Sequence, residues 1–483
     1  MNSKYTFFIQ YEGKVLCYHS NEIIALPEVT SLEKLTYDRL LQYISDNYKI
    51  SDFEMERKVV SFNPTKDEKN FLVIINALNV RGLVEVPNVV WKNFEDLTNI
   101  TSINTIIKNM SNANKVETYD YESKEGDKII NKVLIKNNFS INTWNKQINS
   151  INGHCYRDKK KYFFKGNNIR SIMKEILGYS MLNKKYPIPI INEIFFTKNI
   201  GIIIFEYEHT VGLNKGLLFD FINKFKDLDD DIVIKNILDL YKKNFKNRLL
   251  RSKFPNDKFF RNRAVNLIPK WYIEKKEITN LLHFDVCLNG THMSSTIDII
   301  KKCTEHFNNE FKLTSVLSQG DPTEMNIGIK PIFFDFETAG YNSIVGEIAI
   351  LFWSLYIAGD YFYIKYHPEA YKMHKKEDIE DWKSGNNFLD FQIDKFEKVI
   401  DIRLNYKPSL IRKEIIGKYM DIFEEDLWSE INLHLPYYIV LRVIGSLNIT
   451  KMSEFDQILC IAFLHLFFKE EINYKAFLIE LLE

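Results

Sequence analysis

The run Gln319-Gly320-Asp321-Pro322-Thr323-Glu324-Met325-Asn326, followed a short span later by Phe333-Phe334-Asp335-Phe336-Glu337, decides how this chain is read. Phosphoryl transfer asks little covalent chemistry of a protein. It needs a carboxylate to accept the proton of the attacking hydroxyl, and oxygen ligands that hold Mg²⁺ against the phosphates. A D-x-x-x-x-N loop and a second Asp supply those parts. If 326–329 and 332–335 form an antiparallel hairpin centred between Lys330 and Pro331, Asn326 lies opposite Asp335 with β-carbons about 5 Å apart, near enough for one hard cation to take oxygen from both. Pro331 cannot take the positive φ of a tight two-residue turn, so a four-residue loop with the same centre is expected. Taken singly, each of these residues reads better as a turn cap or a strand end. The two fixed spacings in a strand-loop-strand context carry the chemical reading.

These residues resemble the aminoglycoside phosphotransferase and choline kinase superfamily, whose catalytic loop reads H-G-D-x-x-x-x-N and whose metal strand ends in I-D-F-E or similar. Phe334-Asp335-Phe336-Glu337-Thr338-Ala339-Gly340 looks like the latter. The resemblance implies Asp321 as catalytic base, Asn326 as a metal ligand and Asp335 as the main metal ligand, with Mg²⁺ as cofactor and ATP or GTP as phosphate donor. It also implies a small-molecule hydroxyl acceptor such as an aminoglycoside, amino sugar or amino alcohol. Two positions depart from the pattern. Gln319 replaces the usual histidine, which affects loop rigidity more than chemistry because glutamine still hydrogen-bonds to backbone. Glu347, in Gly346-Glu347-Ile348-Ala349, stands where an Asp commonly anchors the next helix to the loop, so a carboxylate is retained.

A kinase-like small lobe also requires a strand lysine for the phosphates and a helix glutamate to hold it; Lys165 and Glu175 are the candidates. Lys165 ends an apolar strand, and Glu175 edges the packed face formed by Ile169, Ile172, Met173, Ile176 and Leu177. Glu206, Tyr207 and Glu208 follow the apolar strand 202–205, where a hinge would offer backbone groups to adenine. Ser150-Ile151-Asn152-Gly153-His154 is the expected tip of a phosphate-covering loop. Asp360, Tyr361, Tyr363, Glu369 and Trp382 lie where this family builds its acceptor pocket, and acid plus aromatic suits an amine or sugar. The ordinary counterparts are a solvated lysine and glutamate, a hairpin turn, packed aromatics and surface acids.

The bulk composition narrows the alternatives. At 483 residues, 45% hydrophobic and 14% aromatic, the chain has material for two to three folded domains. Lys plus Arg equals Asp plus Glu at 64 each, so no global field favours nucleic acid or an anionic membrane. Cys17, Cys155, Cys287, Cys303 and Cys460 are odd in number and form no CxxC pair, which argues against a disulfide framework or thiolate metal site and for a cytoplasmic location. No signal peptide is evident, and the apolar runs 348–359 and 458–468 read as buried helices too short to span a bilayer. His283, Asp285 and His292 match no metal spacing.

The expected fold is α+β: a bilobal, protein-kinase-like arrangement preceded by a small domain. Residues 1–110 read as an α/β accessory domain, with strands at 5–11, 14–18, 59–62 and 71–78 and a helix at 31–48. It loosely resembles a Nudix domain, but Gln42, Tyr43, Asp46 and Asn47 stand where the carboxylate signature would be, so it is expected to be non-catalytic. The polar stretch 111–127 reads as a linker. A small mixed α/β lobe follows at 128–210, with strands at 132–136, 161–165 and 202–205 and a helix at 168–183. The large lobe at 211–483 is expected to be mostly helical, with one strand pair near 325–337. Two rivals compete: a pseudokinase scaffold, against which the complete Asp321, Asn326 and Asp335 set argues, and a protein kinase, which would need an activation segment and an A-P-E signature that are missing.

Overall fold

The computed structural model describes residues 2–11, 14–20, 23–25, 28–31, 37–48, 52–61, 68–79, 89–93, 107, 113–121, 125–146, 150–183, 185–207, 216–224, 230–246, 250–252, 260, 263–274, 280–309, 313–366, 388–470 and 472–483. The chain divides into two compact units, Met1–Gly212 with Ile332–Tyr341, and Leu213–Pro331 with Asn342–Glu483.

In the first unit, alternation along Asn2–Tyr11 buries Tyr5, Phe7 and Ile9, the period of a strand with one face in the core. This strand runs parallel to Glu68–Asn79 and antiparallel to Lys14–Ser20 and Glu28–Ser31 in a seven-stranded sheet. The helix is Tyr37–Tyr48, and Ser31, where the helix was expected to begin, instead pairs with Ser3 of the first strand. Its Leu40, Ile44 and Tyr48 recur every four residues and are buried, and Tyr43 stacks on Phe7 at 5.5 Å. The polar residues at the Nudix-signature position are spent locally: Gln42 donates to Asp46 at 2.7 Å and Asn47 to the Tyr43 carbonyl at 2.8 Å.

A six-stranded sheet occupies the rest of this unit, in the order Lys115–Thr118, Ile191–Phe196, Ile200–Glu206, Lys160–Asn168, Ser150–Arg157, Ser140–Lys146. Its outer strand lies inside the stretch read as a linker. Lys115–Thr118 runs parallel to Ile191–Phe196, so a polar sequence here supplies an edge strand. The strand expected at 132–136 is instead the end of a helix, Gly126–Lys136. Ile129, Ile130, Val133 and Leu134 form a helical stripe that packs with Phe139, Phe164 and Ile202, and burying that stripe overrides the strand-like Val-Leu-Ile run.

The second unit is built around long helices, among them Glu425–Ser446 and Glu454–Phe467. Ile344–Tyr366 is continuous, with a π-helical middle at Ser354–Phe362. By length and composition it could cross a membrane, unlike the shorter run read from sequence, but 94% of its apolar window is buried within the protein. The unit also holds more strand than expected. Asp285–Leu288, Thr291–Met293, Leu389–Asp394 and Val399–Leu404 form a four-stranded sheet, joined through a parallel pair between Asp285–Leu288 and Val399–Leu404. All five cysteines are buried, and among the described residues no group of three or more His, Cys, Asp or Glu side chains gathers as a metal site.

Candidate active site

In the first unit, Lys160–Asn168 turns Tyr162 and Phe164 into the core, which leaves Lys165 on the opposite face of the sheet. The chain enters the helix Ile169–Leu182 at once, with the Asn168 side chain capping the Ser171 amide at 2.9 Å. This brings Glu175 over the lysine: Lys165 Nζ lies 2.8 Å from Glu175 Oε2 and 2.8 Å from Asp335 Oδ1. The second glutamate oxygen, Oε1, accepts from the Phe336 amide at 3.0 Å. One buried carboxylate thus fixes both the lysine and the backbone that follows Asp335. Gly178 completes the cradle, because a β-carbon there would stand 1.8 Å from the Phe336 carbonyl oxygen. Asp335 itself sits at φ +59°, a left-handed conformation that costs on the order of 1 kcal/mol outside glycine.

The electrostatics of the three groups differ with their surroundings. Burial pushes the Glu175 carboxyl up to about 7 against the pull of Lys165. Burial would also raise Asp335, but the charge and hydrogen bond of Lys165, with further hydrogen bonds from Glu175 and the Glu337 backbone, together hold the carboxyl below its usual range. Burial opposes the charge on Lys165, and Asp335 with Glu175 more than offset it, keeping the ammonium protonated. The Asp335 side chain is 45% exposed and that of Glu175 only 2%, so Asp335 is the carboxylate a cation can reach.

In the second unit, the run 319–326 folds on itself. Gly320 takes φ +87°, and the Gln319 Oε1 atom accepts from the Asp321 amide at 2.8 Å, a side-chain brace on the backbone. The Asp321 carbonyl accepts from the Thr323 amide at 2.7 Å and from Asn326 Nδ2 at 3.0 Å. Asn326 Nδ2 also lies 3.4 Å from Asp321 Oδ2. The Asp335 carboxylate and, in the other unit, the Asn326 amide are each an oxygen donor of the type Mg²⁺ takes. Glu347 accepts from Ser318 Oγ at 2.7 Å, so it holds the strand that leads into the loop, and Asn342 donates to the same Ser318 at 2.9 Å.

Several expectations are corrected. Neither 326–329 nor 332–335 is a regular strand: Leu218 donates to the Ile327 carbonyl, Ile329 to the Gly216 carbonyl and Phe333 to the Pro187 carbonyl, each within its own unit. Asn326 and Asp335 accordingly belong to different units. The Glu206 amide is spent on the Ile190 carbonyl at 2.8 Å and its carboxylate on Lys160 at 2.8 Å, while Lys161 covers the Tyr207 ring at 3.9 Å. Glu208, Glu369 and Trp382 lie outside the described residues. Residues 150–154 are not a loop tip; they begin the strand Ser150–Arg157, where a β-carbon on Gly153 would stand 2.0 Å from the Thr143 carbonyl oxygen. That glycine serves strand packing. Asp360, Tyr361 and Tyr363 are engaged inside the protein, by Arg412 at 2.9 Å, Asp456 at 2.6 Å and Arg442 at 2.9 Å.

Arg442 is the partner that sequence reasoning missed. It projects from Glu425–Ser446, is 4% exposed, and places Nη2 at 3.1 Å from Asp321 Oδ1 while donating to the Tyr363 hydroxyl. The readable signal was an arginine inside Val440-Leu441-Arg442-Val443-Ile444, since a charge on an apolar stripe needs a buried counter-charge.

No family model and no curated protein matches the chain. Among solved structures, a microcompartment-associated aminopropanol kinase is 11% identical, covering 70% of this chain and 94% of its own, with a TM-score of 0.38. A thermostable mutant of an aminoglycoside phosphotransferase is 11% identical over 74% of this chain and 99% of its own, at 0.35. Titin kinase with its flanking domains is 15% identical over 31% and 28%, at 0.21. These likenesses are distant, and function has to be argued from the residues themselves.

Proposed function

We propose that the chain is a kinase-like phosphotransferase. More particularly, we take it to be a small-molecule O-phosphotransferase that moves the γ-phosphate of ATP or GTP to a hydroxyl. The supporting observation is the Lys165, Glu175 and Asp335 cluster: a strand lysine bridges a helix carboxylate, the partner expected from sequence, and an aspartate distant in sequence, at 2.8 Å each. An ordinary surface lysine has no reason to meet two carboxylates, one of them only 2% exposed.

In this reading Lys165 binds phosphate oxygens, Glu175 orients it, and Asp321 accepts the proton of the acceptor hydroxyl as that oxygen bonds to the γ-phosphorus. The bond from phosphorus to the bridging oxygen breaks, and the nucleoside diphosphate leaves. Gln319 and Asn326 hold the loop that carries Asp321. Asp335 and Asn326 are each proposed as an oxygen ligand of Mg²⁺, which neutralises phosphate charge when bound. The N-terminal sheet has no step in this scheme. Buried cysteines suit a reducing compartment, and we place the reaction in the cytoplasm.

A panel of aminoglycosides, amino sugars, amino alcohols, nucleosides and hydroxy amino acids, scored for acceptor-stimulated nucleotide consumption, tests the proposal. At least one class is expected to raise consumption above background and yield a phosphomonoester. Mg²⁺-dependent nucleotide binding with no acceptor stimulation anywhere in the panel would favour a nucleotide-binding scaffold instead.

A further inference from the structure

A second buried charge cluster lies directly beneath the catalytic loop. Glu324 stands between Asp321 and Asn326, yet its side chain is wholly buried, and Arg412 of the helix Leu410–Met420 meets it through Nη1 at 2.9 Å. The other guanidinium nitrogen, Nη2, lies 2.9 Å from Asp360 Oδ1 in the π-helical segment Ser354–Phe362. Nη1 also reaches the carbonyls of Leu355 at 3.2 Å and Ser354 at 3.4 Å in the first turn of that segment. The Glu324 backbone is held as well, its amide by Ser354 Oγ at 3.2 Å and its carbonyl by the Phe219 amide at 3.1 Å. Gly359 leaves room for this arrangement, because a β-carbon there would fall 1.2 Å from Glu324 Oε1.

We propose that Glu324, Arg412 and Asp360 form an internal strut that sets the catalytic loop, with Arg412 as a positioning residue for Asp321 and Asn326. The proposal rests on the phosphotransfer reading of that loop. Replacing a buried ion pair by apolar residues of similar volume is often neutral or stabilising, so what this largely buried triad adds is chiefly fixed geometry. Arginine suits this role because its planar fork presents two nitrogens to two carboxylates in a set direction, which a single ammonium cannot do. The strut ties three elements to one guanidinium, and the loop it fixes carries the base five residues before the metal-directed asparagine.

The test uses the full chain with Arg412→Lys, which keeps the charge and loses the fork. Amide hydrogen exchange at 321–326 is expected to quicken about tenfold or more while the other core amides keep their protection. Nucleotide turnover with the best acceptor is expected to fall about 10²-fold, with the calorimetric nucleotide Kd unchanged. Gly359→Ala, which drives a methyl into the Glu324 carboxylate, is the second variant should the lysine variant fail to fold, and it should shift the same amides. Wild-type loop exchange in either folded variant overturns the strut. So does a fall in turnover matched by a loss of nucleotide affinity and of protection throughout the unit, because that describes general destabilisation. Faster loop exchange in Arg412→Lys, in a protein whose wild type phosphorylates nothing, sustains the strut and counts against phosphotransfer.

Discussion

Asp321→Asn is expected to lower the turnover number by about 10² to 10⁴, the range for losing a general base, with nucleotide affinity unchanged. The amide keeps the shape of the side chain and removes its basicity. The surrounding bonds are expected to survive, because Gln319, Thr323 and Asn326 all engage the Asp321 main chain. Arg442 loses its charged partner at 3.1 Å but keeps the Tyr363 hydroxyl at 2.9 Å. The melting temperature is therefore measured beside turnover, so that lost stability is separated from lost chemistry. If Asp321→Asn consumes nucleotide as fast as wild type, acceptor-stimulated or background, Asp321 is not the base and the scaffold reading takes over.

Asp335→Ala is expected to abolish the Mg²⁺-dependent part of nucleotide affinity, and turnover with it. The variant removes the exposed carboxylate and leaves Lys165 with Glu175 alone. Alanine must also hold φ +59°, at a cost on the order of 1 kcal/mol. Asp335→Asn separates the two effects, since asparagine tolerates the left-handed conformation and lacks only the charge. Calorimetry of ATP with and without Mg²⁺ should show the metal-dependent gain lost in the alanine variant and sharply reduced in the asparagine one. A metal-dependent gain of wild-type size in Asp335→Ala would remove Asp335 from the metal site.

What was legible in the sequence followed from local period and short spacing. Lys165 on its strand, Glu175 on the next helix and the strand Ile200–Glu206 were readable because burial imposes alternation or a helical stripe within a few residues. The helix Gly126–Lys136 was misread because its last residues, Lys132-Val133-Leu134-Ile135-Lys136, imitate a strand unless Ile129 and Ile130 are counted with them. The hairpin of Leu389–Asp394 and Val399–Leu404 alternates plainly and was overlooked in a stretch taken as helical throughout. Arg412 and Arg442 were beyond local reading, since their carboxylate partners lie far along the chain and no spacing links them. The hinge reading of Glu206, Tyr207 and Glu208 rests on backbone groups, which leave no trace in side-chain identity.

The contact between Gly178 and the Phe336 carbonyl bears on how this protein can be stabilised by design. Glycine inside a helix is a routine target for replacement by alanine, worth up to about 1 kcal/mol where space allows. Gly417, in Leu410–Met420, meets nothing within 4 Å of a built β-carbon and accepts that exchange freely. At Gly178 the same methyl would collide with main chain at 1.8 Å and lever Phe336 off Glu175. Two helical glycines that a consensus or propensity filter would score alike therefore have opposite mutational tolerance, and the intolerant one reports on the backbone beside Asp335.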